Sequence, residues 1–336
     1  MEIDRALDSK SQKKGARTPS LPLVSNTGQT ADGLPLAFNR APCDDLKPWI
    51  ARIGVTSVNL PEGGSISCGS FCEQPTMRII YGANWTAQTA DGEQEFAPGE
   101  EGLALYFGPC TRLMRLKVHG SFRVVSINFT PGATLDLGLP EVAETNDRIL
   151  PFDCFTKQPV PAAAFSPQDD VAAWLEAVEQ QLLQEVKNAK LSPPDELLCE
   201  FERLYLTDPG ASLDQFAKAH DTTRRTLERI IGRDLGVSPR FAMRRARALD
   251  MAAALLGVAS EDEEPEIRLR YFDQSHVTRE MRQLFDTTPG RLKTGEHPLL
   301  RITMEIRQSR RLEAIEHFSG DDPRPWRDPK AEPDQA

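Results

Sequence analysis

The stretch from Thr223 to Gly236, Thr-Arg-Arg-Thr-Leu-Glu-Arg-Ile-Ile-Gly-Arg-Asp-Leu-Gly, constrains this chain more than any other. Leu227, Ile230, Ile231 and Leu235 recur at spacings of three to four residues, the period of a helix with one apolar face. Arg225, Glu228, Arg229 and Arg233 fall away from that stripe. Thr223 suits an N-cap, because its hydroxyl can accept from the unpaired amides of a first turn, and Gly236 suits the left-handed stop. Upstream, Ser212 opens a second short helix over Leu213 to Ala219. Only His220 and Asp221, with Thr222 at the margin, separate the two. Two short helices on so tight a turn predict a helix-turn-helix unit. The second helix carries arginines able to grip guanine edges or phosphates, on a rod that fits the major groove. A surface helix with a solvated charged face has the same local pattern, so the sequence that follows decides between the two.

After Gly236, Val237-Ser238-Pro239-Arg240-Phe241 opens a connecting helix with Ser238 as N-cap and Pro239 at its first position. Farther on come Tyr271-Phe272-Asp273-Gln274-Ser275-His276-Val277-Thr278-Arg279-Glu280-Met281-Arg282 and Phe285-Asp286-Thr287-Thr288-Pro289. Over residues 196–295 the chain resembles the DNA-binding module of the AraC/XylS transcription regulators, two helix-turn-helix units bridged by a long helix. The run from Tyr271 to Pro289 keeps most of the family's second unit, Leu235 to Pro239 keeps the end of its first, and Arg247 stands at the linker-helix arginine. The resemblance implies double-stranded DNA as partner. The DNA-contacting residues expected on this reading are Arg224, Arg225, Glu228, Arg229 and Arg233 in the first unit and Gln274, Ser275, Thr278, Arg279 and Arg282 in the second. Asp273 is the expected cap of the second reading helix.

The chain departs from the family pattern in three places. Asp221 replaces the turn glycine, and Asp tolerates the left-handed conformation better than most residues. Arg270 replaces a second glycine. Glu261-Asp262-Glu263-Glu264 precedes the expected first helix of the second unit, near 263–270. These carboxylates either lie near phosphates and repel them, or cap the positive helix N-terminus, Ser260 with Glu263 forming a capping box. The chain as a whole has a formal charge of −10, which is no nucleic-acid signature. Within 212–247, however, nine basic residues stand against four acidic ones, a local +5. DNA affinity would then depend on a local patch and fall steeply with salt.

Between about 38 and 155 the pattern changes. Short apolar segments, Met77–Tyr81, Leu103–Phe107, Leu113–Val118 and Phe122–Phe129, alternate with turn signals such as Asp91-Gly92, Pro98-Gly99 and His119-Gly120. This predicts a small antiparallel β barrel or sandwich. It resembles, more loosely, the cupin-like sensor domain that precedes many such regulators, which implies a domain for a small effector or for dimerisation. A helix is expected from Ser166 to Lys187, capped by Ser166. Its stripe Val171, Trp174, Leu175, Val178, Leu182 and Val186 either packs on the β domain or forms a dimer interface.

The expected fold class is therefore α+β and multidomain. It comprises a disordered tail over 1–35, a β effector or dimerisation domain over 36–160, and a helix and linker over 161–194. A DNA-binding domain with two helix-turn-helix units follows over 195–300, then a C-terminal helix and disordered tail over 301–336. No apolar run reaches membrane-spanning length and the first residues, Met-Glu-Ile-Asp, have no signal-peptide core, so the chain is expected in the cytoplasm with no membrane partner. A homodimer is expected, with RNA polymerase as a partner if the chain activates. Two rival readings stand beside this one: a regulator with a degenerate second helix-turn-helix unit that acts through a protein partner, and a cupin-like enzyme. The β region holds one histidine, His119, too few for a three-histidine metal site, and there is no phosphate loop, nucleophile elbow or His-Glu-x-x-His. No catalytic residue, metal or cofactor is expected. Cys68, Cys72 and Cys110 fit either buried small apolar residues or a thiolate or redox site.

Overall fold

The computed structural model describes residues 37–133, 138–151, 169–189, 191–259 and 274–315, with positions 162, 165, 263, 265, 267 and 326. The tail expected over 1–35, the acidic residues Glu261, Asp262 and Glu264, the expected cap Asp273 and the end of the chain beyond 326 lie outside the described residues.

Among the described residues ten strands come first: β1 Ala37–Arg40, β2 Ile50–Val58, β3 Ile66–Ser70, β4 Thr76–Gly82, β5 Trp85–Thr89, β6 Gly92–Phe96, β7 Gly99–Phe107, β8 Met114–Val118, β9 Phe122–Phe129 and β10 Ile149–Pro151. They form two antiparallel sheets, ordered β1-β2-β9-β4-β7-β10 and β3-β8-β5-β6. Neither sheet closes, so the sandwich alternative describes the domain and the barrel does not. β8 shows the alternation that sends side chains to opposite faces: Met114, Leu116 and Val118 are buried while Arg115 and Lys117 are exposed. β2 is buried on nearly every residue, because the large sheet is covered on both sides.

The outer cover is α1, Val171–Ala189. Trp174, Val178 and Leu182 are buried against Ile53, Val55, Met77, Ile79, Val125 and Ile127. Tyr81 and Phe165 stack around Trp174 with ring centroids 5.0 and 5.2 Å away, and the Arg123 guanidinium lies 4.6 Å over its ring. The stripe packs on the β domain through these residues. The helix also begins later than its sequence suggests. Asp170 Oδ1 accepts from the Ala173 amide at 2.8 Å, the capping role expected of Ser166, which lies outside the described residues.

Among the described residues seven further helices are bounded: α2 Glu196–Thr207, α3 Leu213–Ala219, α4 Arg224–Leu235, α5 Pro239–Leu255, α6 Gln274–Phe285, α7 Pro289–Thr294 and α8 Pro298–Ala314. Around α4, Leu227, Ile231 and Leu235 pack against Phe201 and Tyr205 of α2, Phe216 of α3 and Ala242, Met243 and Ala246 of α5. The apolar stripe read from the sequence is thus the core of the first unit.

The two halves of the chain are not separate. The core between the sheets, with Ile80, Leu105, Leu116 and Val124, runs without a break into Leu249, Met281, Leu284, Phe285, Leu300 and Met304 of the helices. Phe71 and Phe285 meet across the join at 5.2 Å. Buried arginines fasten it. Arg245 of α5, fully buried, donates to the Cys110 and Glu73 carbonyls at 3.0 and 2.8 Å. Arg307 of α8 donates to Glu73 Oε2 at 2.7 Å and to Asp250 of α5. Arg310 of α8 donates to Gln74 at 2.9 Å and to Glu202 of α2. Arg52 of β2 donates to Glu313 at 2.5 Å. Buried guanidiniums placed on carbonyls and carboxylates satisfy their several donors at once, which suits arginine to such a join.

Candidate nucleic-acid interface

The first helix-turn-helix unit forms as its sequence dictates. Ser212 Oγ accepts from the Gln215 amide at 3.3 Å and caps α3, and Thr223 Oγ1 accepts from the Thr226 amide at 3.1 Å and caps α4. Asp221 holds the turn in the left-handed region at φ 47°, doing there what a glycine would do. Gly236 ends α4 at φ 68°. A side chain there would be doubly unfavourable, since a Cβ would come within 2.9 Å of Asn146 Oδ1 and 3.1 Å of the Ala143 amide. The short helical turn Val142–Thr145 of the β domain lies against the end of α4, and Asn146 Nδ2 donates to the Gly236 carbonyl at 2.7 Å.

On the opposite face Arg225, Glu228, Arg229 and Arg233 are exposed and Arg224 is half-buried. They differ in what holds them. Arg225 and Arg229 form no hydrogen bond or ion pair among the described residues. Arg224 pairs with Asp214 of α3 at 2.9 Å and with Glu228 at 3.1 Å, so it ties the reading helix to its neighbour. Arg233 donates twice to the buried carboxylate of Asp234, at 2.5 and 2.7 Å. Its first task is to neutralise that carboxylate.

The same distinction thins the basic patch counted from the sequence. Arg244 pairs with Glu280 of α6 at 3.0 Å, Arg245 is interior, and Arg247 donates to the Pro209 carbonyl at 2.9 Å. Lys218, Arg225, Arg229 and Arg240 remain exposed with no such tie among the described residues. Lys218 and Arg240 were not singled out as contacts by their positions. Their signal was present, since each stands where the buried stripe of its helix is interrupted.

In the second unit Gln274, Ser275, Arg279 and Arg282 of α6 are exposed, and Thr278 is half-buried. Arg279 and Arg282 have no ion pair among the described residues. The far end of α6 is held by the β domain: Leu284 O accepts from the Leu113 amide at 2.6 Å, and Asp286 pairs with Arg115. His276 lies 3.6 Å from the buried carboxylate of Glu280. Of the acidic run, Glu263 pairs with Arg311 of α8 and accepts from Gln308 at 2.5 Å. This carboxylate faces the protein's own cations, and Ser260, with which it was expected to form a capping box, lies outside the described residues.

Behind the helices, a cavity of ≈ 80 Å³ separates the sheets from α8. Trp85, Phe122 and Val124 line it from the sheets, Ile302 and Ile306 from α8, and Arg78 and Asn128 supply polar groups. Asn128 Nδ2 and Trp85 Nε1 are buried donors without a hydrogen-bond partner among the described residues. No helix among the described residues is long and apolar enough to cross a membrane.

The chain matches no protein-family model and no curated protein. Among solved structures, one of ToxT from Vibrio cholerae superposes with a TM-score of 0.42 at 10% identity, over 72% of this chain and 98% of that one. ToxT from Vibrio cholerae O395 gives 0.39 at 9% identity, over 77% and 99%. The AraC-like transcriptional activator CuxR gives 0.21 at 11% identity, over 64% and 86%. At scores this low the overlap carries no functional argument, and the reading below rests on the chain's own geometry.

Proposed function

We propose that this chain is a sequence-specific, double-stranded-DNA-binding transcription regulator whose principal reader is α4. One observation carries the reading. A doubly capped helix-turn-helix unit presents Arg225 and Arg229 exposed and untied, one helical turn apart, with Glu228 between them. Arginine donates in pairs to guanine O6 and N7, and a glutamate can accept from a cytosine amino group.

Arg229→Ala should weaken specific binding by about 1–3 kcal/mol and leave the melting temperature unchanged. Arg233→Ala should behave in the reverse sense, lowering stability through the stranded Asp234 with a smaller effect on sequence preference. Footprinting and titration of both variants on the chain's own upstream region test this. An unchanged footprint for Arg229→Ala removes α4 as the reader.

The second unit is proposed as a weaker reader through Gln274, Ser275, Thr278, Arg279 and Arg282. Its reading helix is pinned at one end by the β domain and cannot reorient freely on a groove. Arg279→Ala should therefore cost less affinity than Arg229→Ala in the same titration, and an equal or greater loss makes the two units equivalent.

The cavity under α8 is proposed to admit the small effector. Its unpartnered Asn128 and Trp85 donors favour a ligand that brings acceptor oxygens. Any ligand there presses on α8, which is bonded to α5 through Arg307 and so to the reading unit. A homodimer, and RNA polymerase as partner of an activator, belong to the same reading.

A further inference from the structure

The loop after β3 and the loop after β7 place two cysteines against one another. The Cys110 amide donates to the Cys72 carbonyl at 2.7 Å, and the Cys72 amide donates to Cys110 Sγ at 3.3 Å. One amide-to-carbonyl bond and one amide-to-sulfur bond between the same two residues hold their backbones side by side, the proximity that a disulfide needs. Both residues carry free thiols.

The two sulfurs are not equivalent. The Arg78 guanidinium donates to Cys72 Sγ at 3.3 Å and to Ser70 Oγ at 3.1 Å, and is itself held 4.3 Å over the Phe107 ring. The Cys110 thiol, as hydrogen-bond donor, holds Cys72 well below an ordinary thiol against the opposing effect of burial, and the Arg78 charge acts in the same sense. Cys110 is pushed up, first by that same hydrogen bond and then by burial. Cys72, Ser70 and Arg78 all face the ≈ 80 Å³ cavity, which is large enough for a few water-sized molecules. A small solute can thus reach one sulfur, beside a fixed cation, with a second thiol directly behind it.

We propose that Cys72 and Cys110 are a dithiol site oxidised by small hydroperoxides, with Cys72 as attacking sulfur and Cys110 as resolving sulfur. The Cys72 thiolate attacks one peroxide oxygen and the O–O bond breaks. Cys72 becomes a sulfenic acid, and the departing oxygen leaves as water or alcohol with the proton that the thiol gave up. Cys110 sulfur then attacks Cys72 sulfur, the hydroxyl leaves as water with the Cys110 proton, and the disulfide forms. Two thiols and one hydroperoxide yield one disulfide, one alcohol or water, and one water. The chemistry is independent of whether the chain binds DNA. Its position gives it reach, because the Cys110 carbonyl and that of Glu73, next to Cys72, are the two that anchor Arg245 of α5.

The test treats the full chain with one equivalent of hydrogen peroxide and maps thiols and disulfides by peptide mass spectrometry. A Cys72–Cys110 disulfide should form before the exposed Cys199 is modified. In Cys110→Ser, Cys72 should accumulate as a sulfenic acid trapped by a cyclic 1,3-dione. Arg78→Met should slow oxidation of Cys72 by roughly tenfold and leave the rate at Cys199 unchanged. Oxidation of Cys199 or Cys43 while Cys72 and Cys110 stay reduced would overturn the proposal, as would a rate at Cys72 indifferent to Arg78. Circular dichroism of each variant separates a misfolded protein from an unreactive one, and a folded, unreactive Cys110→Ser also counts against the proposal.

Discussion

Arg307→Met should destabilise the whole protein by about 3–5 kcal/mol, the cost of removing one partner from a buried ionic network. Arg307 is 5% exposed, and the Asp250 carboxylate that it neutralises is fully buried. Burial acts to lower its pKa, but Asp250 and then Glu73 outweigh it and the net direction is up, so the guanidinium stays charged. The methionine variant has similar bulk and no donors, and it takes from the Asp250 and Glu73 carboxylates the one guanidinium that donates to both. Pairing it with Asp250→Asn should recover part of the loss, because one of the two carboxylates is then neutral and two residues in contact do not contribute additively. Urea unfolding, followed by tryptophan fluorescence and by far-ultraviolet circular dichroism, checks this. Both probes should fall in one transition, since the sheets and helices share a core. A loss below about 1 kcal/mol, or two separated transitions, would mean that the halves of the chain are stable alone and that the network is incidental.

That network also marks how far the sequence could be read. The caps Ser212, Thr223 and Ser238, the stop at Gly236 and the left-handed Asp221 were legible because each acts within four residues of itself. Strand β9 was legible end to end, and β4 and β8 nearly so, because β-branched and aromatic residues cluster between turns, whereas of β7 only Leu103–Phe107 was read, since its first residues, Gly-Glu-Glu-Gly, carry no apolar pattern. What was not legible is everything set by distant partners. The count of nine basic residues in 212–247 overstated the patch, since Arg244 answers to Glu280, Arg245 to the carbonyls of 73 and 110, and Arg224 to Asp214. No local pattern distinguishes those arginines from Arg225 and Arg229. In the same way Glu263 read as part of an acidic run that either repels phosphates or caps a helix, and its ion pair with Arg311, 48 residues on, was not legible. The order of a β region followed by helices was legible, and the core that joins the two was not. A continuous core between them depends on Leu249, Met281 and Leu300 meeting strands more than a hundred residues earlier.

The stripe on α1 was legible as a stripe and ambiguous in its use, and Trp174→Ala decides between the two uses in solution. Trp174 is 1% exposed, ringed by Tyr81 and Phe165 and covered by Arg123, so truncation removes a large buried ring that its neighbours cannot collapse to replace. The expected loss is about 3–5 kcal/mol. It should be the same at low and high protein concentration, because the surface lost lies within one chain. A stripe that joined two chains would give a loss that grows on dilution, since subunit association stabilises by mass action. Sedimentation of the variant beside thermal unfolding at two concentrations separates these outcomes. A folded but dissociated variant would show that Trp174 serves assembly. A protein that unfolds earlier at every concentration, with its association state unchanged while folded, ties the helix to its own sheet. Any dimer would then have to be built from the outward face of α1, where Glu176 and Gln180 are already joined at 3.0 Å, or from another surface altogether.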